Sequence, residues 1–228
     1  MSCGDEITEP TVEDRIPLQF CQDCLYELPI YSPPFCLRCG AGPVPQPIVG
    51  CGACRKSRFR FAQTIALGKY DAGLRHLLLK MKHETGEATS LAVAQLMWSR
   101  CRERLTELTV DVVVPVPMYW LRRLERGTNS PHLLAESLAR RLHRPLAGGL
   151  MYRRRKTLPQ SSLAASERDR NLRDALAVRA GYALSGAKVL LVDDIMTTGA
   201  TANEASRVLK RAGASEVTLA VVARSGAD

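Results

Sequence analysis

The sequence predicts an α/β fold, a mostly parallel sheet flanked by helices, preceded by a small cysteine-rich module. Three observations carry this. Seven of the eight cysteines fall before residue 55. Beyond that point short Val-rich runs alternate with stretches of helical periodicity, the order that implies strands joined by helical crossovers. The 228 residues leave room for one ordinary domain of about 150 residues plus a small module. With 46% hydrophobic and 24% charged residues the chain can bury a core, which excludes a disordered or fibrous protein.

The module is read over residues 1–60 and the main domain over 61–228, because composition changes near residues 58 to 62. Six cysteines form three Cys-x-x-Cys pairs: Cys21 with Cys24, Cys36 with Cys39, and Cys51 with Cys54. Thiols kept reduced at this spacing ligate zinc, two pairs building one tetrahedral four-cysteine site. Eleven residues separate Cys24 from Cys36 and eleven separate Cys39 from Cys51, so spacing leaves open which neighbour the middle pair joins. Cys3, with Glu6 at the Cys-x-x-Cys distance, is placed to join Cys21 and Cys24. That pairing leaves Cys36, Cys39, Cys51 and Cys54 as the complete site. The intervening LYELPIYSPPF and GAGPVPQPIVG are too poor in apolar residues to fold alone, so the metal is expected to supply stability. A redox Cys-x-x-Cys stands singly at a strand end, and three tandem pairs in Pro-rich loops point to structural zinc instead.

Leu74, Leu77, Leu78 and Met81 follow the i, i+3, i+4, i+7 rule of a helix that ends in the basic turn KMKHETGE. Val93, Leu96, Met97, Cys101 and Leu105 recur with helical spacing, which makes Cys101 a core residue. DVVVPVP, Asp111 to Pro117, reads as a buried strand leaving into a loop. A helix carrying Leu134, Leu138 and Leu142 follows Pro131. KVLLVDD, Lys188 to Asp194, is a second buried strand, Ala202 to Ala212 a helix, and Val217 to Ala223 a third strand. Ligands of such sheets bind beyond the carboxyl ends of the strands.

VLLVDDIMTTGAT, Val189 to Thr201, carries the chemistry. A strand delivers two adjacent carboxylates, Asp193 and Asp194, and a turn of hydroxyl residues and Gly199 then opens a helix. Free amides and the dipole at that helix start favour an anion, and Gly199 allows close approach of a phosphate. Thr197, Thr198 and Thr201 add hydroxyl donors. Two acids would repel a bare phosphate, so hydroxyls or Mg2+ must lie between, as a ribose 5-phosphate provides. Gly181 and Gly186 have the Walker A separation, but Ala187 and Lys188 follow where Lys and Ser or Thr are required.

VDDIMTTGAT resembles the signature of type I phosphoribosyltransferases, and the blocks around it resemble the ComF family, associated with DNA uptake in competence. Those blocks are the Cys-x-x-Cys pairs, YDAGLRHLLLKMKHETGE, VPVP followed by RRLERGTN, PQSSLAASERDRN and the signature. The resemblance implies a type I phosphoribosyltransferase-like parallel sheet behind a zinc ribbon. It implies that Asp193 and Asp194 contact the ribose hydroxyls of phosphoribosyl pyrophosphate. Ile195, Met196, Thr197, Thr198, Gly199, Ala200 and Thr201 would wrap its 5-phosphate. Pro115 and Pro117, with Arg122, Arg123 and Arg126, would meet the pyrophosphate, and Gln160, Leu163, Arg168 and Asn171 match the mobile-loop block. The family usually has Arg-Gly-Phe-Asn-Gln where this chain has Arg126 to Ser130, and its first Cys-x-x-Cys is here reduced to Cys3. Thr197 stands where purine-salvage relatives carry a third acid, which argues against salvage of hypoxanthine or guanine.

The expected function is binding of phosphoribosyl pyrophosphate with Mg2+ and transfer of the phosphoribosyl group to an acceptor. The alternative is a non-catalytic sensing or scaffold module for single-stranded DNA or DNA-uptake proteins. A net charge of +9 suits phosphate-bearing partners, and Arg140 to Arg179 supplies most of it, with eleven basic residues against three acidic ones. Aromatic residues, at 5%, are sparse for stacking on single strands. No apolar run approaches the roughly 18 residues of a spanning helix, so no membrane insertion is expected. The first twenty residues hold five acids and no continuous apolar stretch, so the chain is read as cytoplasmic.

Overall fold

The computed structural model describes residues 20–46, 50–52, 54–83, 86–118, 128–158 and 163–226. Four strands form the main sheet: β1 (Gln63–Lys69), β2 (Val112–Pro115), β5 (Lys188–Met196) and β6 (Glu216–Arg224). Their order is β1-β6-β5-β2 and every pairing is parallel. A two-stranded antiparallel ribbon, β3 (Met151–Arg153) with β4 (Leu176–Val178), stands apart. The helices are α1 (Gln22–Glu27), α2 (Ala72–Lys80), α3 (Gly86–Thr106), α4 (Ser130–Leu142), α5 (Ala165–Leu172) and α6 (Ala200–Arg211). Among the described residues no helix is long and apolar enough to cross a membrane.

The Val-rich runs read as continuous apolar strands because the sheet is covered on both faces. Alternate residues of β5 enter different cores. Leu190 and Val192 pack with Leu74, Leu96, Leu134 and Leu138 of α2, α3 and α4. Val189 and Leu191 pack with Ala205 and Leu209 of α6 on the opposite face. That period of two, set against helical stripes on either side, is what makes three layers from this sequence. Pro131 sits in the first turn of α4, where its missing N–H leaves no helical bond unmade.

The sequence reading ends the central strand at Asp194, but β5 continues to Met196, because Ile195 and Met196 still pair with Ala223 and Arg224 of β6. β1 is absent from that reading. Its run QTIALGK is short, and only burial between β6 and the cysteine-rich segment makes it a strand.

The cysteine-rich segment lies along the outer edge of β1. Tyr31 N donates to Leu67 O (2.9 Å), Lys69 N to Pro29 O (2.9 Å) and Thr64 N to Leu37 O (3.0 Å). Gly68 is required there, since a Cβ would stand 2.2 Å from Pro29 O. Cys36, Cys39, Ala41 and Cys54 join the same apolar cluster as Val114, Leu191 and Leu219, so the segment shares the core of the larger domain. It also covers an edge that would otherwise be open to pairing with another chain.

Candidate functional site

The carboxyl ends of β5 and β6 present the site. Strand pairing carries Asp193 to the end of the apolar run, where it is 9% exposed, and Asp194 follows at the rim. Asp194 N donates to Asp193 Oδ1 (2.9 Å), which fixes the first carboxylate within the last pairings along β5. Burial, then the neighbouring Asp194 charge, hold the Asp193 carboxyl well above the usual carboxylate range. The Asp194 amide and the Arg153 guanidinium pull the other way without prevailing.

The turn Thr197, Thr198, Gly199 then opens α6. Gly199 has φ of 83°, a conformation that favours glycine, and a Cβ there would meet Phe59 Cε1 at 2.9 Å and Met196 Cε at 3.1 Å. Thr198 Oγ1 accepts from Ala200 N (3.3 Å), while Gly199 supplies no side-chain cap and the first turn of α6 holds no acid. The helix start thus keeps its positive end for an outside anion. Ile195 and Met196 belong to the strand, and Ala200 and Thr201 to the first turn of the helix.

Four residues that sequence reasoning passed over complete the surroundings. Lys82, in the turn after α2, places Nζ 3.1 Å from Asp194 Oδ2. That turn is held by Thr128 Oγ1 and Ser130 Oγ, each donating to Met81 O at 2.9 Å. Arg153 of β3 donates from Nε to Pro117 O (2.8 Å) and from Nη1 to Thr157 Oγ1 (3.1 Å), tying the loop after β2 to the ribbon. Arg224, the last residue of β6, donates from Nη1 to Thr197 O (2.6 Å). Asn203 of α6 accepts from Arg60 N (2.6 Å) and donates to Arg58 O (3.2 Å), holding the strap that leaves the cysteine module. The basic turn KMKHETGE was the one sequence signal for Lys82; the other three appear only when distant segments meet.

Pro115 ends β2, and Val116 N donates to Val192 O (2.8 Å), so this loop starts beside Asp193. Arg122, Arg123, Arg126 and Gln160, like Cys3 and Glu6, lie outside the described residues. Arg168 and Asn171 bond within their own segment, to Leu163 O (3.2 Å) and to both backbone groups of Leu158, and are not brought to the carboxylates by these bonds.

The second cluster is the thiol set. Cys36, Cys39, Cys51 and Cys54 offer four sulfurs within 4.8 Å of one another, positioned to hold a metal ion. Sγ separations are 3.7 Å for Cys36 and Cys54, 3.6 Å for Cys39 and Cys51, and 3.9 Å for Cys51 and Cys54. A tetrahedron with metal–sulfur bonds of about 2.3 Å has edges of about 3.8 Å, so the donor set fits zinc. Burial raises the Cys36 thiol, but the amides of Cys39, Cys51, Gly50 and Arg38 outweigh it and bring it down to about 6. Cys51 N lies 3.4 Å from that sulfur, the arrangement that favours a thiolate ligand. Burial pushes Cys39 up to about 11 and Cys54 higher still, a cost that a bound cation would relieve. Cys21 and Cys24 are not in this cluster; Cys24 N donates to Cys21 Sγ (3.4 Å) at the start of α1.

A family model described as the phosphoribosyl transferase domain matches residues 132–228. Competence protein F of Haemophilus influenzae is 30% identical over 209 residues, covering 90% of this chain and 90% of that protein. DNA utilization protein YhgH of Escherichia coli is 30% identical over 185 residues, 80% of each chain. Competence protein ComFC of Bacillus subtilis is 29% identical over 200 residues, 85% of this chain and 78% of that one.

Proposed function

We propose, from the premise that the chain belongs to the competence protein F family and carries its phosphoribosyl transferase domain, that it binds phosphoribosyl pyrophosphate with Mg2+ at the carboxyl end of β5. The observation that carries this reading is the adjacency of two carboxylates, Asp193 and Asp194, to a helix start behind Gly199 that has no acid in its first turn. Neither part suits a single simple ligand: acids repel phosphate, and the helix start repels cations. A sugar phosphate satisfies both, with the 5-phosphate on residues 195–201 and ring hydroxyls on the acids. Mg2+, when bound with the pyrophosphate, would lessen the charge at the two carboxylates and the leaving group. Arg122 and Arg123 are assigned to the pyrophosphate side.

The same arrangement suits transfer of the phosphoribosyl group. An acceptor attacks the anomeric carbon, the bond to the pyrophosphate oxygen breaks, and the leaving group takes that electron pair. Positive charge develops on the sugar ring, and two carboxylates beside it are placed to stabilise it. Holding sugar and acceptor in register supplies the remainder. In this reading residues 1–60 are the metal module and residues 61–228 the transferase-like domain. Cys36, Cys39, Cys51 and Cys54 hold a structural zinc, a four-thiolate site with no open position for substrate. Reduced thiols at such a site suit a cytoplasmic setting.

Calorimetric titration of phosphoribosyl pyrophosphate with Mg2+ into the wild type and an Asp193→Asn, Asp194→Asn double variant tests the reading. Binding by the wild type alone supports it; absence of binding to the wild type sinks it.

A second reading has its own observation. Tyr152 and Tyr182 are exposed, and Arg179 stacks on the Tyr152 ring at 5.3 Å, within the most basic part of the chain. Cations beside exposed rings form a platform for single-stranded DNA, in keeping with relatives named for competence and DNA utilization. DNA affinity that falls steeply with salt and is lost in a Tyr152→Ala, Arg179→Ala variant would favour it over the enzyme.

A further inference from the structure

The last residue of β6, the strand at the middle of the sheet, is an arginine only 4% exposed. Its backbone is fixed from both sides. It pairs with Met196 of β5 and Lys69 of β1, and Tyr70 N donates to its carbonyl (2.8 Å). The side chain is unusual for a buried cation. Among the described residues Arg224 has no carboxylate within ion-pair distance. Nη1 donates to Met196 O (3.4 Å), to Thr197 O (2.6 Å) and, closely, to Ser225 O, while Nε is buried with no acceptor.

A buried unit charge without a counter-ion is strongly disfavoured, because burial strips it of water. Carbonyl dipoles offset part of that cost and leave the net charge standing. Two of the carbonyls the guanidinium touches, Met196 O and Thr197 O, lie at the end of β5 and in the turn that opens α6, and the positive end of that helix faces the same turn with no acid in its first turn. A cation and a helix start on one three-residue turn repel each other until an anion joins them. The turn also has a fixed direction. In a trans peptide the C=O and the following N–H point opposite ways. With the carbonyls of Met196 and Thr197 drawn to Arg224, the amides of Thr197 and Thr198 are turned away from it.

Resting on the phosphoribosyl reading above, we infer that Arg224 is a positioning residue for the sugar 5-phosphate: from behind the turn it supplies a buried counter-charge and fixes the backbone that receives the phosphate. In that reading the pyrophosphate is assigned to the side of Arg122 and Arg123, and Arg224 is not among the groups that hold it. Affinity for a 5-phosphate therefore depends on Arg224, and affinity for pyrophosphate does not.

The test titrates ribose 5-phosphate, phosphoribosyl pyrophosphate with Mg2+, and Mg2+ pyrophosphate into the full chain, as wild type, Arg224→Gln and Arg224→Lys. Thermal melts confirm folding. Gln keeps an amide for the carbonyls but no charge, whereas Lys keeps the charge without the fork. The expected result is a 30- to 100-fold loss of ribose 5-phosphate and phosphoribosyl pyrophosphate affinity in Arg224→Gln, with Mg2+ pyrophosphate within twofold of wild type. Arg224→Lys should fall between, three- to tenfold down for the sugar phosphates. Should Arg224→Gln fail to fold, unchanged ribose 5-phosphate binding by Arg224→Lys overturns the inference. Equal weakening of all three ligands also overturns it, because that marks general structural support. A wild type that binds no sugar phosphate removes both this inference and the reading beneath it. A wild type that binds while Arg224→Gln binds equally removes this inference alone.

Discussion

Lys82 and Asp194 form an ion pair, Nζ to Oδ2 at 3.1 Å, although one lies in the turn after α2 and the other near the carboxyl end of β5, more than a hundred residues later. The second carboxylate of the site therefore meets a cation before any ligand arrives. Both side chains are mostly covered, so the pair is worth about 1 kcal/mol. A Lys82→Met variant should bind Mg2+ about fivefold more tightly than wild type, read by titration in the absence of sugar phosphate. Unchanged Mg2+ affinity would show that the lysine does not restrain the acid.

The turn that delivers Lys82 depends on two hydroxyls. Thr128 and Ser130, which stand where the ComF pattern usually has Phe and Gln, both donate to Met81 O from buried positions. A Thr128→Val, Ser130→Ala double variant leaves that carbonyl without those partners, at a cost of about 1–3 kcal/mol. The midpoint of urea unfolding should fall accordingly, and phosphoribosyl pyrophosphate affinity with it.

Asp193 holds its proton more tightly folded than unfolded, because burial and the Asp194 charge disfavour its carboxylate. The sign follows by linkage: this group's stabilising contribution is full below its unfolded pKa of about 4 and is lost as pH rises through the raised folded value. The ligand-free protein should therefore lose stability across that rise. Asp193→Asn should melt higher than wild type at neutral pH and show a flatter pH profile. A variant that melts lower at neutral pH contradicts the assignment.

Three strands of the main sheet, β2, β5 and β6, were legible because each is covered on both faces and reads as a Val-rich apolar run, whereas β1, with Gln63, Thr64 and Gly68 in its short run, was not. The strand, turn and helix proposed to hold the phosphate were legible as a unit because all of their parts lie within thirteen consecutive residues, Val189 to Thr201. Partners brought by folding left no local trace. Lys82 sits in an ordinary basic turn after a helix, Arg224 in what reads as the polar edge of a strand, and Asn203 at an ordinary polar position of a helix. Equal eleven-residue spacers made the cysteine pairing undecidable by spacing, and only the β1 edge and the shared core set Cys36 and Cys39 against Cys51 and Cys54.

Metal removal should reach beyond the module. Arg38 donates to Ser57 O and its guanidinium lies 5.5 Å from the Phe59 ring, and Phe59 in turn covers Gly199. Protein purified without added metal should carry about one zinc for this four-thiolate cluster. Stripping it should cost on the order of several kcal/mol and speed hydrogen exchange at Ala200 to Asn203. Unchanged exchange there would show that the strap does not transmit the state of the cluster.

Gly199→Ala places a Cβ against Phe59 in a left-handed backbone conformation. The expected cost is about 1–3 kcal/mol of stability, with sugar phosphate affinity down at least tenfold. Pairing the change with Phe59→Ala should restore part of the stability, since it removes the clash but not the backbone penalty. A single variant as stable as wild type would contradict the geometry of the turn.

The sheet order has a consequence for how the molecule is made. β6 lies between β1 and β5, yet it is the last strand in the chain, and Gln63 must wait for Thr218 to pair. Until then β1 and β5 each expose an apolar edge that is free to take up another chain. Such long-separated parallel pairing is slow, so refolding should be rate-limited by insertion of β6 and should aggregate increasingly as protein concentration rises. The same insertion brings Arg224 to the Thr197 carbonyl, so the proposed phosphate site and the sheet are completed in one event.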